Sequence, residues 1–223
     1  LVLPVCRSAS WRDQASMDRA SRWAPRMPMQ LAPDPVWGLP RQPWSGGLSI
    51  VVCWRPSPLL GLRGWSLLLN ALSRLAEDLD APVRWLAFHR HQDGELLDWL
   101  TDQGVVPPGL RSRSTTVIPS SLDTVFASVR KARLVIPMRL HALILARLAH
   151  CPMAALSYDP KVEAAAAMAG IPCSSLDALP AEPTLLKQWR EAMDSPADSD
   201  QIERIRAAAA HHGSHLRRYL PQR

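Results

Sequence analysis

Residues 133–161 read RLVIPMRLHALILARLAHCPMAALSYDPK, and the alternation inside this stretch decides the fold class. Residues 134–136 are a short β-rich run, and 138–149 have the apolar spacing of a helix. Residues 153–157 form a second apolar run, and a further helix starts at Pro160. Asp159 before Pro160 is a good helix start, because a carboxylate at the N-cap accepts free backbone amides and proline suits the first helical position. Both strand-to-helix junctions carry charge, Arg139 and His141 at the first, Asp159 and Lys161 at the second. In an open parallel sheet, ligands lie outside the carboxyl ends of the strands, where helix N-termini point. Two basic junctions in succession therefore predict an anion site.

Outward from this stretch the same alternation continues. Residues 48–54 are a continuous β-rich run, the pattern of a strand buried on both faces, and they end at Arg55 and a proline-rich loop. A helix over 62–79 carries an apolar stripe of Leu68, Leu69, Leu72, Leu75, Ala76 and Leu79. A strand over 83–88 leads into His89, Arg90, His91, Gln92 and Asp93, and a helix over 95–103 stops at Gly104. A weak strand over 117–119 and a helix over 122–131, capped by Ser120 or Ser121, precede the opening stretch. Helices over 184–193 and 198–219 follow it. Alternation from 48 to 168 predicts a doubly wound parallel α/β sheet of Rossmann-like type.

Upstream, residues 1–5 are compatible with a strand. Asp13 is placed to cap a helix over 14–23, and 27–31 can form another strand. Residues 33–47 hold four prolines and three glycines, too many for an element interior. The predicted organisation is 1–45 as the remnant of an N-terminal α/β domain plus linker, and 46–223 as the Rossmann-like domain with terminal helices.

Composition limits the functions open to the chain. Hydrophobic residues make up 47% and charged residues 21%, which fits a folded globular protein. A net charge of +6 suits an acidic ligand, nucleic acid or an anionic membrane surface, but on charge alone mild basicity that only aids solubility is the preferred reading. The aromatic residues, nine Trp, two Tyr and two Phe, are scattered and not grouped among basic ones, which argues against a single-stranded nucleic-acid platform. The four cysteines lack paired metal or redox spacing, and Cys53 and Cys151 read as buried free thiols. No apolar run is long enough to span a bilayer and no signal peptide is visible. A cytoplasmic setting is expected, with peripheral association at the inner face of the membrane left open. The chain begins on an apolar run without Met, so a missing N-terminal part is expected.

Each candidate residue has a structural reading beside the functional one. Arg139 and His141 fall in a first helical turn, where unpaired amides and the helix dipole attract anions. Side chains two apart diverge by about 200° on a helix, so they converge on one ligand only at a helix end. The plain alternative is an exposed Arg and a core-edge His. Lys161 can lean toward the same cleft, and Arg55 is either a surface cation or a strand-end ligand. His89, His91 and Asp93 raise a metal site, but with too few ligands in view a surface or supporting role is preferred, and no metal is expected. His211, His212 and His215 read as a solvated helix face. Gly46 and Gly47 precede a strand, so they are no dinucleotide fingerprint.

The order of residues resembles the polysaccharide pyruvyl transferase family. The resemblance rests on residues 138–146, MRLHALILA, then Pro152, then 156–162, LSYDPKV. Weaker matches are Trp11, Arg12 and Asp13 with Ser16, Asp34-Pro35, Trp54-Arg55-Pro56, and Phe88-His89 with Asp93. Together they cover most of residues 10–172. The resemblance implies the carboxyl-terminal part of a two-domain fold like that of glycosyltransferases B. It implies transfer of a pyruvyl group from phosphoenolpyruvate to a sugar of a cell-surface polysaccharide, as a ketal with phosphate release, without a further cofactor. The implied acceptor is a glycan or lipid-linked glycan, and nucleic acid is not an implied partner. Carried over by position, His141 is the catalytic acid or base. Arg139, Leu140, Arg55, Lys161 and Asp159 are substrate-binding, with His89, Asp93 and Arg12 second. The implied chemistry suits these residues, because a donor with two anionic groups needs several fixed cations and amide donors.

This sequence departs from the family at Pro137 and His150, where small residues are common, and residues 163–169 lack an expected aromatic. His150 is predicted to take the left-handed turn that His tolerates. Two other functions stay open at the sequence level. One is a nucleotide-sugar glycosyltransferase of the same architecture; the other is a non-catalytic, truncated homologue.

Overall fold

The computed structural model describes residues 3–195 and 197–219. The chain divides into two compact units, Leu1–Pro40 with Asp198–Arg223, and Arg41–Ala197.

In the first unit, β1 (Ala9–Trp11), α1 (Gln14–Trp23) and β2 (Met29–Leu31) make a parallel β-α-β unit in which Trp11 lies opposite Leu31. Asp13 caps α1 as its position predicts, accepting from the Ser16 amide at 2.7 Å. Residues 3–5 form a 3-10 turn and not the strand expected over 1–5; residues 1 and 2 lie outside the described residues. A second 3-10 turn, Pro35–Gly38, buries Trp37 completely.

The second unit carries the main sheet. Its elements are β3 (Ser49–Cys53), α2 (Leu62–Asp78), β4 (Val83–Leu86), α3 (Arg90–Asp93), α4 (Leu96–Asp102), α5 (Pro108–Arg113), β5 (Ser114–Val117), α6 (Leu122–Arg130), β6 (Ala132–Pro137), α7 (Leu140–Leu148), β7 (Ala155–Ser157), α8 (Pro160–Met168), β8 (Cys173–Ser175) and α9 (Glu182–Met193). All pairings are parallel, in the order β5-β4-β3-β6. A bridge between Val135 and Met153 carries the sheet on to the β7–β8 pair. The first strand thus lies centrally, with the chain winding outward to one side through β4 and β5 and to the other through β6, β7 and β8. The switch in direction falls between β3 and β6, which is where such folds bind ligands.

Why the strands are buried follows from their sequence. Every residue of β3 is buried, because helices cover both faces of its continuous apolar run. Trp54, Trp65 and Trp85 meet beneath β3, with Trp54 and Trp85 edge-to-face at 5.4 Å between centroids. The last helix of the opening stretch's first crossover, α7, is buried almost all round between β6, α6 and α8. Its buried residues, Leu140 and Ala142 to Leu148, go round most of the helix.

Several expectations change. The strand expected over 117–119 lies earlier, at β5, because Ser114 pairs with Val83 and accepts from the Trp85 indole at 3.1 Å. The proline-rich segment is not a free linker. Its first part belongs to the first unit, while Gln42, Ser45 and Trp44 bond to Leu148, Arg130 and Ala132 of the second. Gly47 passes so close to Lys131 that a Cβ would lie 1.9 Å from its carbonyl oxygen. The helix expected over 198–219 is two, α10 (Ser199–Ala209) and α11 (His211–Arg217). Both group with the first unit, whereas the sequence assigned them to the Rossmann-like domain. Arg206 of α10 donates to the Leu39 carbonyl at 3.1 Å, which helps explain the grouping. His150 has φ of +55°, the left-handed turn expected of it.

Cys53 and Cys151 are buried free thiols. Burial disfavours their thiolates and pushes both well above the usual thiol range; Asp93 adds to this at Cys53. Burial, with Glu163 nearby, pushes Cys173 up to about 11. Iodoacetamide at pH 8 is therefore expected to leave Cys53 and Cys151 unmodified in the folded chain and to modify all four thiols in urea, as mapped by peptide mass.

Candidate functional site

The carboxyl ends of β3, β6 and β7 bring most of the candidate residues to one edge of the second unit. Cys53 pairs with Pro137, and the Met138 amide donates to the Cys53 carbonyl at 3.1 Å. Arg55 and Arg139 each lie two residues beyond that last paired position, on adjacent strands at the switch in winding direction.

Arg55 reaches across to the end of β7. Its guanidinium lies 4.7 Å from the centroid of the Tyr158 ring, and Nη1 donates to the Tyr158 hydroxyl at 3.2 Å. Its Nε donates to the Pro56 carbonyl at 3.2 Å. Both of these acceptors are neutral. Lys161 faces the same ring, Nζ lying 5.8 Å from its centroid. Tyr158 thus organises two cations, a role that the sequence did not assign to it. The only local signal was an aromatic at a strand end, directly before a helix cap.

Lys161 also pairs with Asp159 at 3.0 Å, and the other Asp159 oxygen accepts from the Lys161 amide at 2.9 Å. Asp159 is accounted for as the cap of α8 and the counter-charge of Lys161.

Arg139 stands at the N-cap of α7, so the helix starts two residues later than the sequence predicts. It forms a bidentate pair with Asp93, Nε to Oδ2 at 3.0 Å and Nη2 to Oδ1, and Nη2 also meets the Gln92 side chain at 3.4 Å. The Asp93 side chain is 1% exposed and that of Arg139 20%. Asp93 Oδ2 also accepts from the Phe88 and His89 amides at 3.0 and 2.9 Å. The carboxylate fixes the arginine geometrically. Nη1 of Arg139 remains outside these bonds.

His141 is exposed at the second position of α7, and Leu140 is buried. No side chain caps α7, so its first-turn amides are oriented for an anion at the same edge. Leu140 can contribute only its main chain there. His89 caps α3, its Nδ1 accepting from the Gln92 amide at 3.2 Å. Among the described residues no group of three or more His, Cys, Asp or Glu side chains could hold a metal ion.

Arg12 belongs to the first unit. It pairs with Asp34 at 3.0 Å, beside a cavity of about 430 Å³ that Ser10, Asp13 and His212 also line. His212 and His215 are buried, contrary to the solvated face expected of them. His212 bonds to the Ser10 hydroxyl and the Pro33 carbonyl, each at 2.7 Å, and His215 to the Ser8 hydroxyl at 2.6 Å. An imidazole can be buried when its nitrogens are satisfied.

A family model described as "Polysaccharide pyruvyl transferase" matches residues 2–160. No curated protein matches the chain. Among solved structures, a mutant of S. aureus TarM, in complex with Fondaparinux, alpha-GlcNAc-glycerol and UDP, is 9% identical with a TM-score of 0.55. The match covers 94% of this chain and 41% of that one. A glycotransferase of kitacinnamycin is 15% identical with a TM-score of 0.49, over 86% of this chain and 50% of that one. This chain therefore spans half or less of these structures. The TarM likeness shows the fold alone, an α/β architecture of glycosyltransferase-B type. No helix among the described residues is long and apolar enough to cross a membrane.

Proposed function

This chain belongs to the polysaccharide pyruvyl transferase family, and we propose that it carries the donor-binding edge of an enzyme moving pyruvyl from phosphoenolpyruvate onto a glycan. The observation that carries this reading is Arg55, a cation bonded to neutral groups at the switch in strand winding. Lys161 shares its tyrosine platform, and the Asp93-anchored Arg139 follows the adjacent strand. A small ligand with a phosphoryl and a carboxylate group matches several fixed cations together with helix-end amides.

In this reading Arg55 and Lys161 hold one anionic group of the donor, and Arg139 Nη1 with the α7 amides holds the other. The donor methylene carbon takes a proton, which leaves an oxocarbenium-like carbon bearing the phosphoryl oxygen. A sugar hydroxyl adds to that carbon and loses its proton. A second hydroxyl then displaces phosphate, which departs with the second hydroxyl proton, and the cyclic ketal closes. Atoms and charge balance without an oxidant or reductant. His141 moves a proton in this sequence. The acceptor is a cell-envelope glycan, free or lipid-linked, and the reaction takes place in the cytoplasm at the membrane face.

The test incubates the protein with phosphoenolpyruvate and free or lipid-linked glycans. Glycan-dependent phosphate release, with a pyruvyl ketal on the product by mass spectrometry, is expected. Arg55→Ala should weaken phosphoenolpyruvate binding by about 10- to 100-fold, the size expected for charge-assisted hydrogen bonds. Tyr158→Phe, which keeps the ring and removes the hydroxyl, should weaken it by less. Donor affinity unchanged in Arg55→Ala would refute the assigned site, and turnover of a nucleotide sugar in place of phosphoenolpyruvate would refute the function.

A further inference from the structure

Next to the cation edge lies a groove of about 300 Å³, lined by Pro56, His91, Gln92, Glu95, Leu96 and Trp99. Five of the six come from α3, the turn after it and α4. Trp99 of α4 lies four residues after Glu95, at the cap of that helix, and three after Leu96, the spacing that brings side chains onto one helix face. His91 and Gln92 of α3 adjoin them. Pro56 forms the opposite wall. Trp99 is 44% exposed, so its indole face is open to a ligand, and Leu96 lies buried beneath the groove. His91 and Glu95 stand at the rim, 3.8 Å apart, both more than two-thirds exposed.

Two bonds connect this groove to the donor edge. Gln92, in its wall, meets Arg139 Nη2 at 3.4 Å, and the Pro56 carbonyl accepts from Arg55 Nε at 3.2 Å. A ligand in the groove therefore adjoins both arginines.

We propose that this groove is the acceptor subsite, and that it takes one pyranose ring of the glycan with an apolar C–H face stacked on Trp99. A pyranose has such a face and a rim of hydroxyls. The groove supplies the complement, with an indole and Leu96 inside and Gln92, Glu95 and His91 as hydrogen-bonding groups at the edge. Charge separates this occupant from a nucleotide. The Glu95 carboxylate repels a phosphate beside it but accepts a hydroxyl. The sequence raised His91 as a metal candidate together with His89 and Asp93. In the structure His89 caps α3 and Asp93 holds Arg139, which leaves His91 at the sugar rim.

The inference rests on the pyruvyl transfer reading for the identity of the ligand but is tested without turnover. Saturation-transfer NMR and titration would use the whole chain with methyl glycosides of glucose, galactose, mannose and their N-acetyl forms. At least one glycoside should bind, with saturation concentrated on one face of the ring. Trp99→Ala should weaken that binding about tenfold, the loss of one aromatic stacking contact, while Trp99→Phe retains most of it. Phosphoenolpyruvate affinity should be the same in all three proteins. Binding of no glycoside, equal binding by Trp99→Ala, or displacement of the glycoside by uridine monophosphate would each overturn the assignment. Trp99-dependent glycoside binding without phosphate release from phosphoenolpyruvate would instead count against pyruvyl transfer and leave the sugar groove standing.

Discussion

His141→Ala is expected to lower turnover of phosphoenolpyruvate by ~10²–10⁴-fold, the usual contribution of a positioned proton-transfer group. Donor affinity should change little, because the charges proposed to hold the donor come from Arg55, Arg139 and Lys161. The fold should also survive. His141 is exposed at the second position of α7, and alanine is a good helix former there, so the helix should still form. The pH profile separates a chemical role from a structural one. A group that carries a proton contributes a limb to the rate profile, and that limb should vanish in the variant. Single-turnover kinetics with the wild-type rate in His141→Ala would remove the assignment.

The largest effect on stability is expected at Asp93. Its carboxylate accepts from two backbone amides and from the Arg139 guanidinium while almost fully buried. Asp93→Ala strands all three donors, and removing one partner of a buried ion pair costs ~3–5 kcal/mol. Arg139 keeps some access to water, which places the expectation at the lower end of that range. Urea unfolding of the second unit, followed through buried Trp54, Trp65 and Trp85, would measure the cost as a lower midpoint at unchanged slope. Asp93→Asn tests the positioning role. It retains a carbonyl for the backbone amides but turns an NH₂ group toward Arg139, so donor affinity should fall further than stability does. A variant as stable as the wild type would show that the pair contributes nothing net.

Features carried by neighbouring residues were legible in the sequence. Asp13, Ser121 and Asp159 cap their helices as read, because a cap bonds to amides two or three residues away. The left-handed His150 is equally local. Strand boundaries were less legible, since pairing decides them: β5 moved upstream of its expected place because Ser114 finds Val83 and Trp85. The polar reading of the final helix failed because hydrophobic periodicity ignores imidazoles satisfied by distant partners.

By itself, then, the sequence determined the alternating parallel α/β architecture and the placement of Arg55, Arg139, His141 and Lys161 at strand-to-helix junctions. Hydrophobic period and turn chemistry act over a few residues, and a parallel sheet turns each such junction toward the same edge. The tertiary structure decided which of those charges are matched. Arg139 meets Asp93 from 46 residues away, Arg55 meets Tyr158 from 103, and His212 meets Ser10 from 202. No local spacing encodes such pairs, because they exist only once the strand order brings distant loops together. Two adjacent arginines that look alike in the sequence thereby become different, one held by a buried carboxylate and the other bonded to neutral groups.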